Sequence, residues 1–263
     1  MLATASLPQS HDSSISANVP MELSAKFNSS MGEDVPDSSL YKRLRDKFLY
    51  LTLTRPDICH SVHKLSQFMS SPKVPRLQAA YRILKYLNKT PGQGLFLFAS
   101  SELKLKAYCD ANWVACPDTR RSISGFYVFL GESLISWKCK NQQVVSRSSA
   151  KSEYRSMAIV TSEIVWLIAL LKTFGLGHNH AASLYCDSKA TIYIAANPVF
   201  HERTKHIEIN CHFIREKIQD GVIKTFHVPT RHRIADFFTK ALGHKQFHYL
   251  LSKMNLVNIY SSS

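Results

Sequence analysis

Two segments, "LKAYCDANW" and "SLYCDSKAT", each end an apolar run on Tyr-Cys-Asp and then break into small polar residues. In a strand, side chains alternate between faces, so Asp110 shares a face with Tyr108 and Asp187 with Tyr185, while Cys109 and Cys186 point the other way. If the two strands pair in parallel, the carboxylates finish about 5 Å apart. They would then lie at the carboxyl ends of strands, where open α/β sheets hold their ligands. Carboxylates that close repel each other and call for a proton or a cation between them. Chance recurrence is the alternative, because Tyr and Cys are common in buried strands.

A third acid comes from the long apolar-periodic segment 149–175. Met157, Val160, Ile164, Leu167 and Leu171 form its stripe, and Glu153 lies on that stripe one turn earlier. A carboxylate at the start of a buried face is costly unless something partners it. Glu163 falls off the stripe and reads as a solvated acid. Asp236, after the segment "HVPT", is a fourth candidate. On its own it fits better as an acid favouring a helix N-terminus. Three or four oxygen ligands without clustered His or Cys suit a hard cation such as Mg²⁺ or Mn²⁺. A two-metal carboxylate site on a basic chain points to phosphodiester chemistry.

The elements that must position these acids can be read from periodicity. "LKLKAYCD" alternates as a strand, and "SISGFYVFLGESLISWKC" reads as two strands around residues 131–133. The long helix follows Ser148 and Ser149 as cap candidates and stops at Gly175. "SLYCD" and "VIKTFHVP" are further strands, with helices over "ATIYIAAN" and up to Gly221, and "RIADFFTKAL" opens a final helix. The order β-β-β-α-β-α-α-β-α describes a mixed α/β layer that begins as an antiparallel meander. Upstream, residues 39–102 carry helical periodicity. Residues 1–38 are Ser-rich, poor in apolar periodicity, and read as a disordered leader. The proposed organisation is thus 1–38 leader, 39–102 helical connection, 103–245 α/β domain and 246–263 tail.

The chain of 263 residues has a net charge of +14, unevenly spread. Residues 1–38 carry −4, residues 39–102 carry +8 and residues 103–245 carry +9. A basic body behind an acidic leader suits a polyanion partner, although a basic surface also simply confers solubility. No long uninterrupted apolar run and no secretory h-region is present, so no membrane partner is expected. Six Cys at irregular spacings, without a C-x-x-C pair, read as reduced thiols in an intracellular, cytoplasmic or nuclear protein. No Gly-rich phosphate loop supports a kinase or helicase.

The segments "AYCDANW", "PDTRRSISGFYVFLGESLISWKCKNQQVVSRSSAKSEYRSMA", "LYCDSKATIYIAANPVFHERTKHIEI", "HFIREKIQDG" and "VPTRHRIADFFTKAL" together resemble the ribonuclease H domain that ends the Pol polyprotein of plant copia-type LTR retrotransposons. "YLTLTRPDICHSVHKLSQFMSSP" and "AAYRILKYLNKTPGQGL" resemble the region joining reverse transcriptase to that domain. The resemblance implies a ribonuclease H-like five-stranded mixed sheet with its first and fourth strands adjacent and parallel. It maps the family's acids onto Asp110, Glu153, Asp187 and Asp236, raising Asp236 above what its own position supports. It implies hydrolysis of the RNA strand of an RNA·DNA hybrid with two Mg²⁺ (or Mn²⁺) ions. Asp110 would bridge them, Asp187 and Asp236 would complete their coordination, and Glu153 would reach a metal and the RNA 2′-hydroxyl.

Some features depart from the family. "YKRLRD" puts Arg43 and Asp46 where the family has a small residue and a Gly, which would damage helix packing if that Gly closes it. Asn210 and Ala115 stand for the usual Asp and Gly. The chain has no Asp-Asp pair, so polymerase activity is not expected, and a related element's polymerase domain is a possible partner. Arg120, Arg121, Lys138, Lys140 and Arg147 suit phosphate contacts or a solvated basic edge equally well. His232 lies four residues before Asp236, in a loop where other ribonucleases H place a mobile His, but the family motif does not specify His there and chance is the better reading. Zinc is not expected, because His206 and His212 are six residues apart on one helix, with no second Cys/His pair. Trp113, Trp137 and Trp166 read as core or rim residues. Two functions remain open on the sequence: a metal-dependent ribonuclease H, and a catalytically inactive nucleic-acid-binding relic.

Overall fold

The computed structural model describes residues 17–25, 27–177, 180–196, 208–229 and 234–260. Three helices lead, α1 (Ser38–Leu51), α2 (Cys59–Ser66) and α3 (Val74–Lys89), followed by the short strand β1 (Gln93–Leu95). The sheet strands are β2 (Leu105–Asn112), β3 (Ile123–Leu130), β4 (Ser133–Asn141), β5 (Ala182–Cys186) and β6 (Ile223–His227). Helix α4 (Ser149–Thr173) links β4 to β5, and α5 (Lys189–Ala196) and α6 (Glu208–Gln219) link β5 to β6. Short α7 (Asp236–Thr239), α8 (His244–Ser252) and β7 (Leu256–Asn258) close the chain.

The five strands are ordered β4-β3-β2-β5-β6. β2, β3 and β4 form an antiparallel meander, and β5 pairs in parallel with both β2 and β6. The first and fourth strands are therefore neighbours and parallel. This is the ribonuclease H-like mixed sheet that the resemblance implied.

Alternation along the strands gives the sheet two apolar faces. On one, Leu105, Ala107, Cys109, Leu184 and Cys186 pack against Met157, Val160, Ile164 and Leu167 of α4 and Cys211 and Ile214 of α6. Helix α4 starts where the sequence places it, with the Ser148 side chain accepting from the Lys151 amide and Gly175 at φ 73° just past its end. It is long and apolar enough to cross a membrane by length and composition, but 44% of its most apolar window is buried inside this protein.

The opposite face, with Ile123, Tyr127 and Phe129, packs on residues from α1, α2, α3, α7 and α8 in one continuous core. The connection is thus no separate layer. The Trp137 indole donates to the Thr52 carbonyl at 2.9 Å, and His63 Nε2 lies 3.1 Å from Asn141 Oδ1, which ties the helices to β4. Arg43 and Asp46 are exposed on α1, whose Tyr41 and Phe48 are buried. The altered "YKRLRD" stretch therefore leaves the packing intact.

One expectation needs correcting. The second half of the leader is packed: Ala17, Val19, Met21, Phe27 and Val35 all join the buried set. Its acids meet the basic α3 region, with Glu22 paired to Arg82 at 2.5 Å and Asp34 to Lys73 at 2.8 Å. Burial here follows neither strand nor helix period, so alternation could not reveal it. The tail is packed as well over its described residues, 246–260. Phe247, Leu250, Leu251 and Met254 are buried, and β7 pairs antiparallel with β1.

Phe27 packs edge-on to Phe68, with ring centroids 6.2 Å apart. Phe27→Ala is expected to cost about 3 kcal/mol in urea unfolding; a disordered leader would show no loss.

Candidate active site

The β2–β5 register aligns Tyr108 with Tyr185 and Cys109 with Cys186, so the next residues along, Asp110 and Asp187, leave adjacent strands side by side. A row of stacked rings fixes that register. Tyr127 on β3 stacks on Tyr108 at 4.8 Å, Tyr108 on Tyr185 of β5 at 4.6 Å, and Tyr185 on Phe226 of β6 at 5.3 Å. Glu153 arrives from the cysteine face, on the first turns of α4. Asp236 arrives from the tyrosine face, at the start of α7.

The four acids divide into two pairs. On the tyrosine side, the Lys240 ammonium lies 2.7 Å from Asp236 Oδ1 and 3.6 Å from Asp110 Oδ2. The Thr239 hydroxyl donates to Asp110 Oδ2, and Asn112 Nδ2 donates to the Thr239 carbonyl at 3.0 Å, tying α7 to β2. On the other side, ligand atoms of Glu153, Cys186 and Asp187 all lie within 4.8 Å of one another. Ser156 of α4 donates to the Asp110 carbonyl at 2.8 Å, joining the halves. Buried Gln142 donates to Ser124 Oγ at 3.0 Å and to the Ser152 carbonyl at 2.8 Å, holding the start of α4 on β3.

Close approach of α7 depends on Gly125 of β3. A Cβ there would stand 2.7 Å from both Phe238 Cβ and Thr239 Cγ2. No side chain larger than hydrogen fits between the strand and the turn that carries Asp236, Thr239 and Lys240.

Burial dominates the electrostatics. Asp110, Glu153 and Asp236 are at most 8% exposed. Burial, with repulsion from Asp236 and Asp187, pushes the Asp110 carboxyl up to about 6 against the pull of Lys240 and Thr239. Burial, then the neighbouring Asp110, Cys186 and Asp187, pushes Glu153 up to about 10. Lys240 is raised, because the attraction of Asp110, Asp236 and Asp187 outweighs its own desolvation. Glu153 Oε2 is buried and has no hydrogen-bond partner among the described residues. An orphaned carboxylate oxygen beside two further acids suits a hard divalent cation.

Other sequence candidates lie farther out or were overlooked. Arg120, Arg121, Lys138, Lys140 and Arg147 are exposed and form no ion pair among the described residues. Arg120 lines the same cleft as Lys240. His232 and His206 lie outside the described residues, and His212 is exposed on α6. Trp113 and Trp166 are largely exposed, and the Trp113 indole donates to the Ser146 carbonyl at 2.8 Å. Sequence reading missed Thr239, Lys240 and Cys186. Lys240 was findable, standing one helical turn after Asp236, where an ammonium reaches a carboxylate. Cys186 faces away from Asp187 along its strand and comes within reach only because α4 brings Glu153 to that side.

No protein-family model matches the chain. It is 41% identical over 240 residues to the retrovirus-related Pol polyprotein of transposon RE1 of Arabidopsis thaliana, covering 91% of this chain and 16% of that one. It is 39% identical over 240 residues to that of transposon RE2 of the same plant, with the same coverage. The TNT 1-94 Pol polyprotein of Nicotiana tabacum is 35% identical over 197 residues, 75% of this chain and 15% of that one. The chain belongs to the retrotransposon Pol polyproteins. It spans about a sixth of the length of these relatives. Among solved structures, LC11-RNase H1 in complex with an RNA/DNA hybrid is 12% identical, covering 52% of this chain and 94% of that one, with a TM-score of 0.39. The foamy viral protease-reverse transcriptase in complex with an RNA/DNA hybrid is 12% identical, covering 72% of this chain and 25% of that one, with a TM-score of 0.43. Strand order and direction, rather than these scores, identify the fold of this Pol segment.

Two outcomes follow for the site. Gly125→Ala is expected to push α7 off β3, destabilising the protein by about 1–3 kcal/mol in urea unfolding and weakening divalent-cation binding with it. The folded state holds the Glu153 proton more tightly than the unfolded chain, so this group's contribution is most favourable below 4.5 and is lost as pH rises toward 10. In EDTA, Glu153→Gln should therefore match wild type in acid and exceed it by about 1–3 kcal/mol near pH 8 in urea unfolding. Equal stability at both pH values would place Glu153 in water.

Proposed function

We propose that this Pol segment hydrolyses the RNA strand of RNA·DNA hybrids with the help of two Mg²⁺ or Mn²⁺ ions. The observation that carries the proposal is the meeting of Asp110, Asp187, Glu153 and Asp236 at the carboxyl ends of two adjacent parallel strands, with a Glu153 oxygen left unpaired. The basic balance of the chain, +14, suits the polyanionic substrate.

When bound by these four carboxylates, the cations would neutralise charge on the scissile phosphate and acidify the attacking water. In the hydrolysis, the water oxygen bonds to phosphorus and the bond to the 3′-oxygen breaks. The departing 3′-oxygen takes a proton. Asp110 is held for this by the Thr239 hydroxyl, which fixes one of its carboxylate oxygens. Lys240 keeps Asp110 and Asp236 from repelling each other before substrate arrives, and its ammonium is then available to a phosphate oxygen. Glu153, on the α4 side, is the group to meet the RNA 2′-hydroxyl. A related element's polymerase domain would hold a longer hybrid in place.

A second reading is a nucleic-acid-binding relic without catalysis. Lys240 favours it, because an ammonium between Asp110 and Asp236 satisfies those acids without a metal. Cleavage of an end-labelled hybrid separates the two. Wild type with Mg²⁺ or Mn²⁺ should cut only the RNA strand, and Asp110→Asn should bind the hybrid yet fall to background cutting. Binding by both proteins with cutting by neither would leave the relic reading standing.

A further inference from the structure

A cleft of about 870 Å³ opens beside the acid site, on the tyrosine side of the sheet. Its walls come from three parts of the chain: the packed leader around Met21–Ala25, helix α2, and the β2–β3 turn with the end of α7. Polar groups on the lining are His60, Lys64, Asn112, Arg120, Thr239 and Lys240, and no carboxylate lines it among the described residues. Asn112, Thr239 and Lys240 also belong to the acid site, so the two spaces are contiguous.

Lys64 is the unexplained group. It is 8% exposed, and its ammonium makes one long contact, 3.4 Å to the Ala115 carbonyl. No carboxylate lies within ion-pair distance among the described residues. Asp118, the acid that acts on it from farther away, accepts the Ser29 amide at 2.8 Å instead. A buried ammonium so poorly compensated costs stability unless an anion joins it. Burial depresses the Lys64 pKa, which an arriving anion would reverse. Beside it, His60 is 9% exposed and kept neutral by its burial, a hydrogen-bonding group without charge. Arg120 at the rim adds a second cation free of ion pairs among the described residues.

We infer that this cleft is a phosphate-binding site, with Lys64 at its base and Arg120 at its rim, which takes a backbone phosphate of a nucleic-acid strand lying across the acid site. The inference rests on nucleic acid being the ligand of this Pol segment but not on catalysis. Contiguity with the acid site favours a backbone phosphate over a free one, since a strand reaching Asp110 continues past Lys240 into the cleft. It also gives the connection and the leader a role in binding.

The test is the salt dependence of hybrid binding, by fluorescence anisotropy in EDTA, for wild type, Lys64→Met and Arg120→Asn. Asn tolerates the left-handed backbone of Arg120, at φ 57°. Each variant should bind more weakly at low salt, with the slope of log K against log[NaCl] reduced by about one. Lys64→Met should unfold in urea at the same or a higher midpoint than wild type, because it removes an uncompensated buried charge. Unchanged slopes in both variants would overturn the inference, as would a lower Lys64→Met midpoint together with an unchanged slope. If Lys64→Met does not fold, an unchanged slope in Arg120→Asn overturns it alone. Inorganic phosphate that raises the wild-type midpoint, with hybrid slopes unaltered, would make this a free-phosphate site and equally overturn it. Cleavage assays on the same samples separate the two claims. Cutting with unchanged slopes sinks only the cleft, and reduced slopes without cutting sink only the catalytic reading.

Discussion

Everything at the acid site depends on one register, the parallel pairing of β2 with β5 that sets Cys109 opposite Cys186. A slip of one residue would turn Asp110 or Asp187 to the other face, because side chains alternate. Four aromatic rings across four strands resist that slip, since Tyr108 can stack on Tyr127 and Tyr185 together only in this alignment. Two of these rings, Tyr127 and Tyr108, also face the core shared with the connection helices, so that end of the row is buried as well as stacked. A parallel pair joined only through a long helix has no tight turn to set its alignment. Here the ring ladder supplies it.

The second constraint is electrostatic. The fold brings three nearly buried acids and a half-buried one to one end of the sheet, and among the described residues Lys240 is the ammonium that pairs with Asp110 and Asp236. Its ion pairs are with the tyrosine-side acids, and Asp187 acts on it from farther away. Among the described residues Glu153 is left with an unpaired buried oxygen, and burial above all raises its pKa. The two halves of the site therefore differ: Lys240 meets the acids of one, and a buried Glu153 oxygen without a hydrogen-bond partner among the described residues marks the other. The structural acids and the Pol kinship support the proposed reading, and Glu153 marks where a metal would matter most under it.

Much of this was legible in the sequence because it obeys short periods. The doubled Tyr-Cys-Asp, the α4 stripe ending at Glu153 and the Ser148 cap all reappear in the structure. Other features were not legible, because they depend on contacts distant in the chain. The leader's Phe27 and Val35 are buried by tertiary packing with salt bridges to α3, not by any pattern of their own. The helix expected to run on from "RIADFFTKAL" stops after Thr239, and a second one, α8, begins at His244. Thr239 and Cys186 act on acids that they meet only after folding. Asp236 needed the family resemblance, since its own position suggested nothing more than a helix start.

The central claim is that this register assembles a divalent-cation site. Mn²⁺ uptake, followed by loss of the free-ion electron paramagnetic resonance signal, tests it without substrate or turnover. Saturable uptake by wild type, strongly weakened in both Asp110→Asn and Asp187→Asn, is the predicted result. Uptake that is identical in all three proteins, with their folds intact, would contradict the account.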